Sequence, residues 1–110
     1  MEQTASRFFD LQKKHKPRLE NGVPKNGQEF ITMNNKFGKK EISMILNWKN
    51  GFLHSEKDLP AVQMEDAHTE YWEDGYLSNV EIDANGNQMP AVIADYGHIE
   101  EFWVHGERIK

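Results

Sequence analysis

Trp48-Lys49-Asn50-Gly51, Trp72-Glu73-Asp74-Gly75 and Trp103-Val104-His105-Gly106 are three copies of one four-residue pattern, and they contain every tryptophan of the chain. Their surroundings repeat too. Pro60-Ala61-Val62 returns as Pro90-Ala91-Val92, and Glu70-Tyr71-Trp72 as Glu101-Phe102-Trp103. Self-similarity of this kind marks a repeat architecture, in which one small unit is copied and stacked so that neighbours bury each other's apolar faces. Asn50-Gly51 and Asp74-Gly75, between extended segments, are strong signals for tight hairpins. Each Trp-x-x-Gly therefore reads as a strand end, a turn and the start of the next strand. Trp48, Trp72 and Trp103 are expected at the packing seams, and Gly51, Gly75 and Gly106 in a conformation that costs little only for glycine.

Outward from the repeats, the chain reads in order. Residues 4 to 16 suggest a short amphipathic helix: Thr4 is a plausible N-cap, Phe8 and Leu11 share a face, and Pro17 stops it. Lys13, Lys14, Lys16 and Arg18 suit the helix end, where positive charge complements the dipole. Residues 17 to 28, rich in Asn, Gly and Pro, read as a linker. Residues 29 to 110 read as antiparallel hairpin repeats. The first hairpin joins Glu29–Met33 to Lys40–Trp48, and alternation puts Ile42, Met44, Leu46 and Trp48 on one face of its second strand. Pro60 and Pro90 belong at strand starts. The interval between tryptophans grows from 24 to 31 residues, and the extra seven fall around Ser78 to Met89. The expected fold is one domain over residues 1 to 110, mainly β with one short N-terminal helix, built as an antiparallel meander of repeated β-hairpins.

Composition agrees with a folded domain. Its 110 residues suit a single core, and 37% hydrophobic with 28% charged residues separates the chain from disordered sequences. No apolar run approaches the roughly 20 residues a membrane helix requires, and Met1-Glu2-Gln3-Thr4 lacks the order of a secretory signal, so a cytoplasmic address is expected. The absence of cysteine removes disulfides and thiolate chemistry. Charge is uneven: residues 1 to 50 hold ten Lys/Arg against five Asp/Glu, residues 51 to 110 three against thirteen. An acidic repeat region steers basic molecules toward itself and repels nucleic-acid phosphates.

Trp48-Lys49-Asn50-Gly51-Phe52-Leu53-His54 resembles the core of MORN repeats. With Leu59-Pro60-Ala61-Val62 it is similar to MORN-like hairpin repeats of bacterial and phage proteins, over about residues 45 to 109. No Gly follows His54, and Pro-Ala-Val stands where that pattern has Gly-x-Gly. The resemblance implies a hairpin-repeat fold and a role as a protein-interaction or membrane-proximal module. Of the two, the acidic repeats favour a protein, because anionic lipid would repel them.

The chemistry-bearing residues point the same way. Five histidines occur, with His68 and His98 spaced like matched copies, but no His-x-x-x-His or His-Glu-x-x-His sets up a metal site. Asp83, Asn85 and Asn87 imitate the start of a calcium loop, yet Gln88 and Ala94 occupy the positions that need Gly and Glu. No serine sits in a nucleophile elbow. Neither metal, cofactor nor catalytic residue is expected. Two readings of function remain. In the first, the chain is a non-enzymatic binding protein whose acidic surface, with Glu65, Asp66, Glu70, Tyr71, Glu73, Asp74 and Tyr76 at its centre, docks on a basic protein as an immunity or phage anti-defence inhibitor would. In the second, Glu70 and Glu101 beside aromatics serve a small carbohydrate-binding domain or glycosidase-like enzyme. Negative charge that merely solubilises the fold is the bland alternative to the first. Oligomeric state is left open.

Overall fold

The computed structural model describes residues 4–13, 16–56 and 59–110. Thr4 to Phe8 form no regular element, and a single 3-10 turn, Phe9–Lys13, is all that appears of the expected helix over residues 4 to 16. Lys14 and His15, the end of that expected helix, lie outside the described residues. The cause of the shortening is tertiary: Thr4 and Ala5 donate to the carboxylate of Glu101 while Ser6 and Arg7 donate to that of Glu70, two strands away, so this stretch is laid across two repeats instead of winding into a first helical turn. The expected linker contains β1 (Leu19–Glu20) and β2 (Val23–Pro24), a small hairpin around Asn21-Gly22.

The fold is mainly β and antiparallel. Strands β3 (Gly27–Asn34), β4 (Lys40–Lys49), β5 (Phe52–Leu53), β6 (Val62–Met64) and β7 (His68–Glu70) are followed by β8 (Trp72–Glu73) and β9 (Tyr76–Leu77). Then come β10 (Val92–Ala94), β11 (Ile99–Glu101), β12 (Trp103–Val104) and β13 (Glu107–Arg108). The main sheet runs β11-β10-β7-β6-β4-β3, with β5 attached to β4, while β8-β9 and β12-β13 stand apart as two-stranded hairpins. The Pro-Ala-Val strands and their partners lie in the main sheet together with the first Trp-x-x-Gly hairpin, β4-β5, while the second and third Trp-x-x-Gly hairpins are separate two-stranded sheets. Among the described residues no helix is long and apolar enough to cross a membrane.

All three Trp-x-x-Gly turns are two-residue loops with both central residues at positive φ: Asn50 52° and Gly51 86°, Asp74 48° and Gly75 90°, His105 48° and Gly106 85°. That is the primed turn whose twist matches antiparallel strands. The glycine is needed twice over. Gly75 donates its N–H to the Leu53 carbonyl, and a Cβ there would lie 2.9 Å from Phe52. Gly106 repeats this one unit on, against Leu77 and Tyr76. Each hairpin therefore seats its glycine on the aromatic that follows the previous glycine. At Gly51 the neighbours are the Pro17 ring and the Arg18 backbone: a Cβ would stand 2.4 Å from Pro17 Cβ and 2.8 Å from Arg18 N. Gly22 has an equally positive φ but open space around it. Gly22→Ala should cost about 1–2 kcal/mol of backbone strain. Gly51→Ala should cost that plus about 1–3 kcal/mol of overpacking, a difference readable as separate urea midpoints. Equal midpoints would refute the close packing of residues 17–18 on this turn.

One cross-strand row organises the core side of the sheet: Glu29, Leu46, Val62, Glu70, Val92 and Glu101 are successive partners in register. Leu46, Trp48, Leu53, Val62, Trp72, Leu77, Val92 and Trp103 make the buried cluster, and Phe8, Phe9 and Leu11 pack against it from the N-terminal segment. Two expectations are corrected here. Ile42 does not share the buried face, being 52% exposed, because a bulge opposite Ile31/Thr32 makes Ser43 an extra residue on β4. His68 and His98 are not equivalent either. His68 lies in β7, two residues before Glu70, where the last repeat has Ile99, and the turn before β11 carries one residue more, which leaves His98 exposed.

Candidate functional site

The two repeated glutamates face inward, and their partners are the chain's own N-terminus. Glu70, 0% exposed, accepts from Ser6 Oγ at 2.8 Å, Arg7 N at 2.8 Å, Trp72 Nε1 at 3.0 Å and His68 Nε2 at 2.6 Å. Glu101 accepts from Thr4 Oγ1, from Ala5 N at 2.6 Å and from Trp103 Nε1 at 3.0 Å, and Arg108 stands 3.8 Å away. Each carboxylate takes a hydroxyl and the next residue's amide, so Thr4-Ala5 and Ser6-Arg7 are read in the same way by successive repeats. Alternation within a strand puts each Glu on the face of the Trp two residues later, which is why the indole can reach it. Trp48 has Leu46 in that position, and its Nε1 donates instead to Glu29 on the neighbouring strand, at 3.0 Å. Gln12 completes the attachment by accepting from Leu77 N at 2.6 Å and donating to the Gly106 carbonyl at 3.0 Å.

Burial works to raise the pKa of Glu101, but the donors Thr4, Ala5 and Trp103 and the charge of Arg108 outweigh it and hold the carboxyl below its ordinary value of 4.5. A carboxylate whose pKa is lowered by folding stabilises the native state above its unfolded pKa and loses that contribution as pH falls through the folded one. The stability gap between wild type and Glu101→Gln should therefore be largest near neutrality and shrink as pH falls below the ordinary carboxyl value of 4.5, as read from urea midpoints across pH. A gap independent of pH would rule out the ionised Glu101.

With the N-terminal segment in place, Glu70 and Glu101 are closed to a sugar. They sit two strands apart, about 10 Å by the spacing of a sheet. His68 Nε2 carries the hydrogen that the Glu70 carboxylate accepts, while His68 Nδ1, also buried, has no hydrogen-bond partner among the described residues. The pair is part of the packing.

The surface tells a different story. Of the residues expected at a partner-binding centre, Glu70 is removed from it by burial, and Asp66 is engaged by Arg7 at 2.7 Å, an interaction that lowers its pKa. Glu65, Asp74 and Tyr76 are exposed, and Tyr71 and Glu73 half-buried. Among the described residues Glu65, Glu73, Glu81, Glu100 and Glu107 have no ion-pair partner. Asp74 serves the turn: its φ is positive and its N–H donates to His54 Nδ1 at 3.0 Å. His105 N meets Ser78 Oγ in the same way one repeat later, so His54 holds a structural position.

A cleft of about 470 Å³ opens between β8 and the excursion 78–89, lined by His54, Tyr71, Glu73, Val80, Glu81 and Ile82 among others. A smaller one of about 130 Å³ lies by Trp48 and Phe52 with Lys16 and Arg18 at its wall. Sequence reading pointed at neither cleft, nor at Glu29, Ser6 or Gln12. The available signal was the spacing of Thr4 and Ser6, two hydroxyls two residues apart opposite two copied glutamates. No protein-family model matches this chain, and neither a curated protein nor a solved structure is similar to it.

Proposed function

We propose that the chain is a non-enzymatic, cytoplasmic protein-binding module whose acidic hairpin-repeat surface docks on a basic protein, in the manner of an inhibitor of the immunity or phage anti-defence type. The MORN-like character of the Trp-x-x-Gly hairpins is part of the same proposal. The observation that supports it is the contrast between the two sides of the repeats. Inward-facing carboxylates are saturated with donors, while Glu65, Glu73, Glu81, Glu100 and Glu107 meet no cation among the described residues. Unpaired charge of one sign accelerates encounter with an opposite surface and makes that rate sensitive to salt.

Asp74 is unsuitable for charge reversal, because lysine would have to adopt its positive φ. Glu65→Lys with Glu73→Lys avoids that strain and should leave stability within about 0.5 kcal/mol of wild type. Against a protein identified by capture from host lysate, the double variant is expected to associate at least about tenfold more slowly at low salt, with a flatter salt dependence. Unchanged association kinetics would reduce the acidic surface to a solubilising one.

A further inference from the structure

The excursion at residues 78–89 is six residues longer than residues 54–59, which fill the same place between Trp-x-x-Gly and Pro-Ala-Val in the preceding repeat. It is firmly built. Asn79, 5% exposed, donates from Nδ2 to the Pro90 carbonyl at 2.9 Å and accepts Glu81 N at 3.0 Å. Gln88 Nε2 donates to the Asn79 carbonyl, Met89 N to that of Glu81, and Ile82 bridges to Gln88. The result is a fixed wall that leaves Val80 52% and Ile82 64% exposed along the cleft that Tyr71 and Glu73 also line. Exposed aliphatic side chains on a rigid wall, an aromatic residue and two carboxylates without a cationic partner among the described residues form a combined apolar and anionic lining.

That lining matches one kind of side chain, a long apolar stem ending in a positive charge. We propose that the cleft between β8 and residues 78–89 is an anchor site for an arginine side chain presented by a basic protein partner, with Val80 and Ile82 against the stem and Glu73 and Glu81 beside the guanidinium. Arginine fits better than lysine because its planar head can bond two carboxylates at once. The inference rests on the function proposed above and supplies its central contact. Buried arginines are frequent energetic centres of interfaces, whereas charges at the rim contribute little.

The test uses the whole chain and a blocked tripeptide, acetyl-Gly-Arg-Gly-amide, titrated by ¹H–¹⁵N NMR beside its citrulline counterpart, which keeps the shape and lacks the charge. Expected are saturable shifts confined to Tyr71–Glu73, Ser78–Ile82 and Met89. Binding should be at least about tenfold weaker for the citrulline peptide and for the Glu73→Gln/Glu81→Gln variant. Shifts spread evenly over Glu65, Glu100 and Glu107, or an affinity indifferent to citrulline or to the variant, would overturn the site. The two proposals fail separately. A captured basic protein that binds the Glu73→Gln/Glu81→Gln variant as tightly as wild type, yet loses affinity on Glu65→Lys, removes the anchor and leaves the docking surface.

Discussion

Glu70→Ala is expected to destabilise the protein by about 3–5 kcal/mol, because it leaves buried donors facing an empty space. The carboxylate is the common acceptor of the Ser6 hydroxyl, the Arg7 amide, the Trp72 indole and His68 Nε2, and no water-exposed route replaces it at 0% exposure. Loss should therefore reach beyond β7 to the N-terminal segment, whose Thr4–Arg7 stretch keeps only the Glu101 bonds and the exposed Arg7–Asp66 ion pair once Glu70 is gone. Equilibrium urea unfolding gives the magnitude, and hydrogen exchange of the Ala5 and Arg7 amides gives the location. A variant that unfolds at the wild-type midpoint, with Arg7 still protected, would show that the Glu70 bonds are dispensable and that the other attachments of the segment hold it.

Trp72→Ala should cost a similar amount, about 3–5 kcal/mol, by a different mechanism. At 1% exposure Trp72 is the largest of the fully buried side chains between the first and last hairpins, and its removal opens a cavity where successive repeats meet. Trp72→Phe keeps most of the packing and loses the indole donor to Glu70, so it should cost about 1–2 kcal/mol. Because Trp72 Nε1 and Glu70 Oε1 are hydrogen-bonded, the two losses share a term, and the Trp72→Phe/Glu70→Ala double variant should be less destabilised than the sum of the singles. An unchanged melting temperature in Trp72→Ala, accompanied by lost partner binding, would make the indole an interface anchor and refute its place at the seam.

Local chemistry alone determined a good deal here. Three Trp-x-x-Gly copies, ending in Asn-Gly, Asp-Gly and His-Gly, announce two-residue hairpins because few residues tolerate positive φ at both turn positions, and all three turns have that geometry. Period-two alternation likewise put Glu70 with Trp72 and Glu101 with Trp103, pairs that are hydrogen-bonded. Mainly antiparallel β structure and burial of the tryptophans follow from the same patterns.

Tertiary structure decided what those patterns could not reach. Thr4 to His15 has the spacing of a helix, but the donors of Thr4 to Arg7 belong to carboxylates more than sixty residues away, and long-range partners of that strength outweigh local propensity. Glu70 looks like any other surface acid until the strap over it is known, and nothing local marks Glu29 as the acceptor for Trp48. The bulge at Ser43 and the extra residue before Ile99 each shift a face by one position, which alternation read along a single strand does not register. The cleft by Val80 and Glu81 likewise exists only because residues 78–89 fold back beside β8, a placement set by Asn79's hydrogen bonds to Pro90 and Glu81 rather than by any periodic signal.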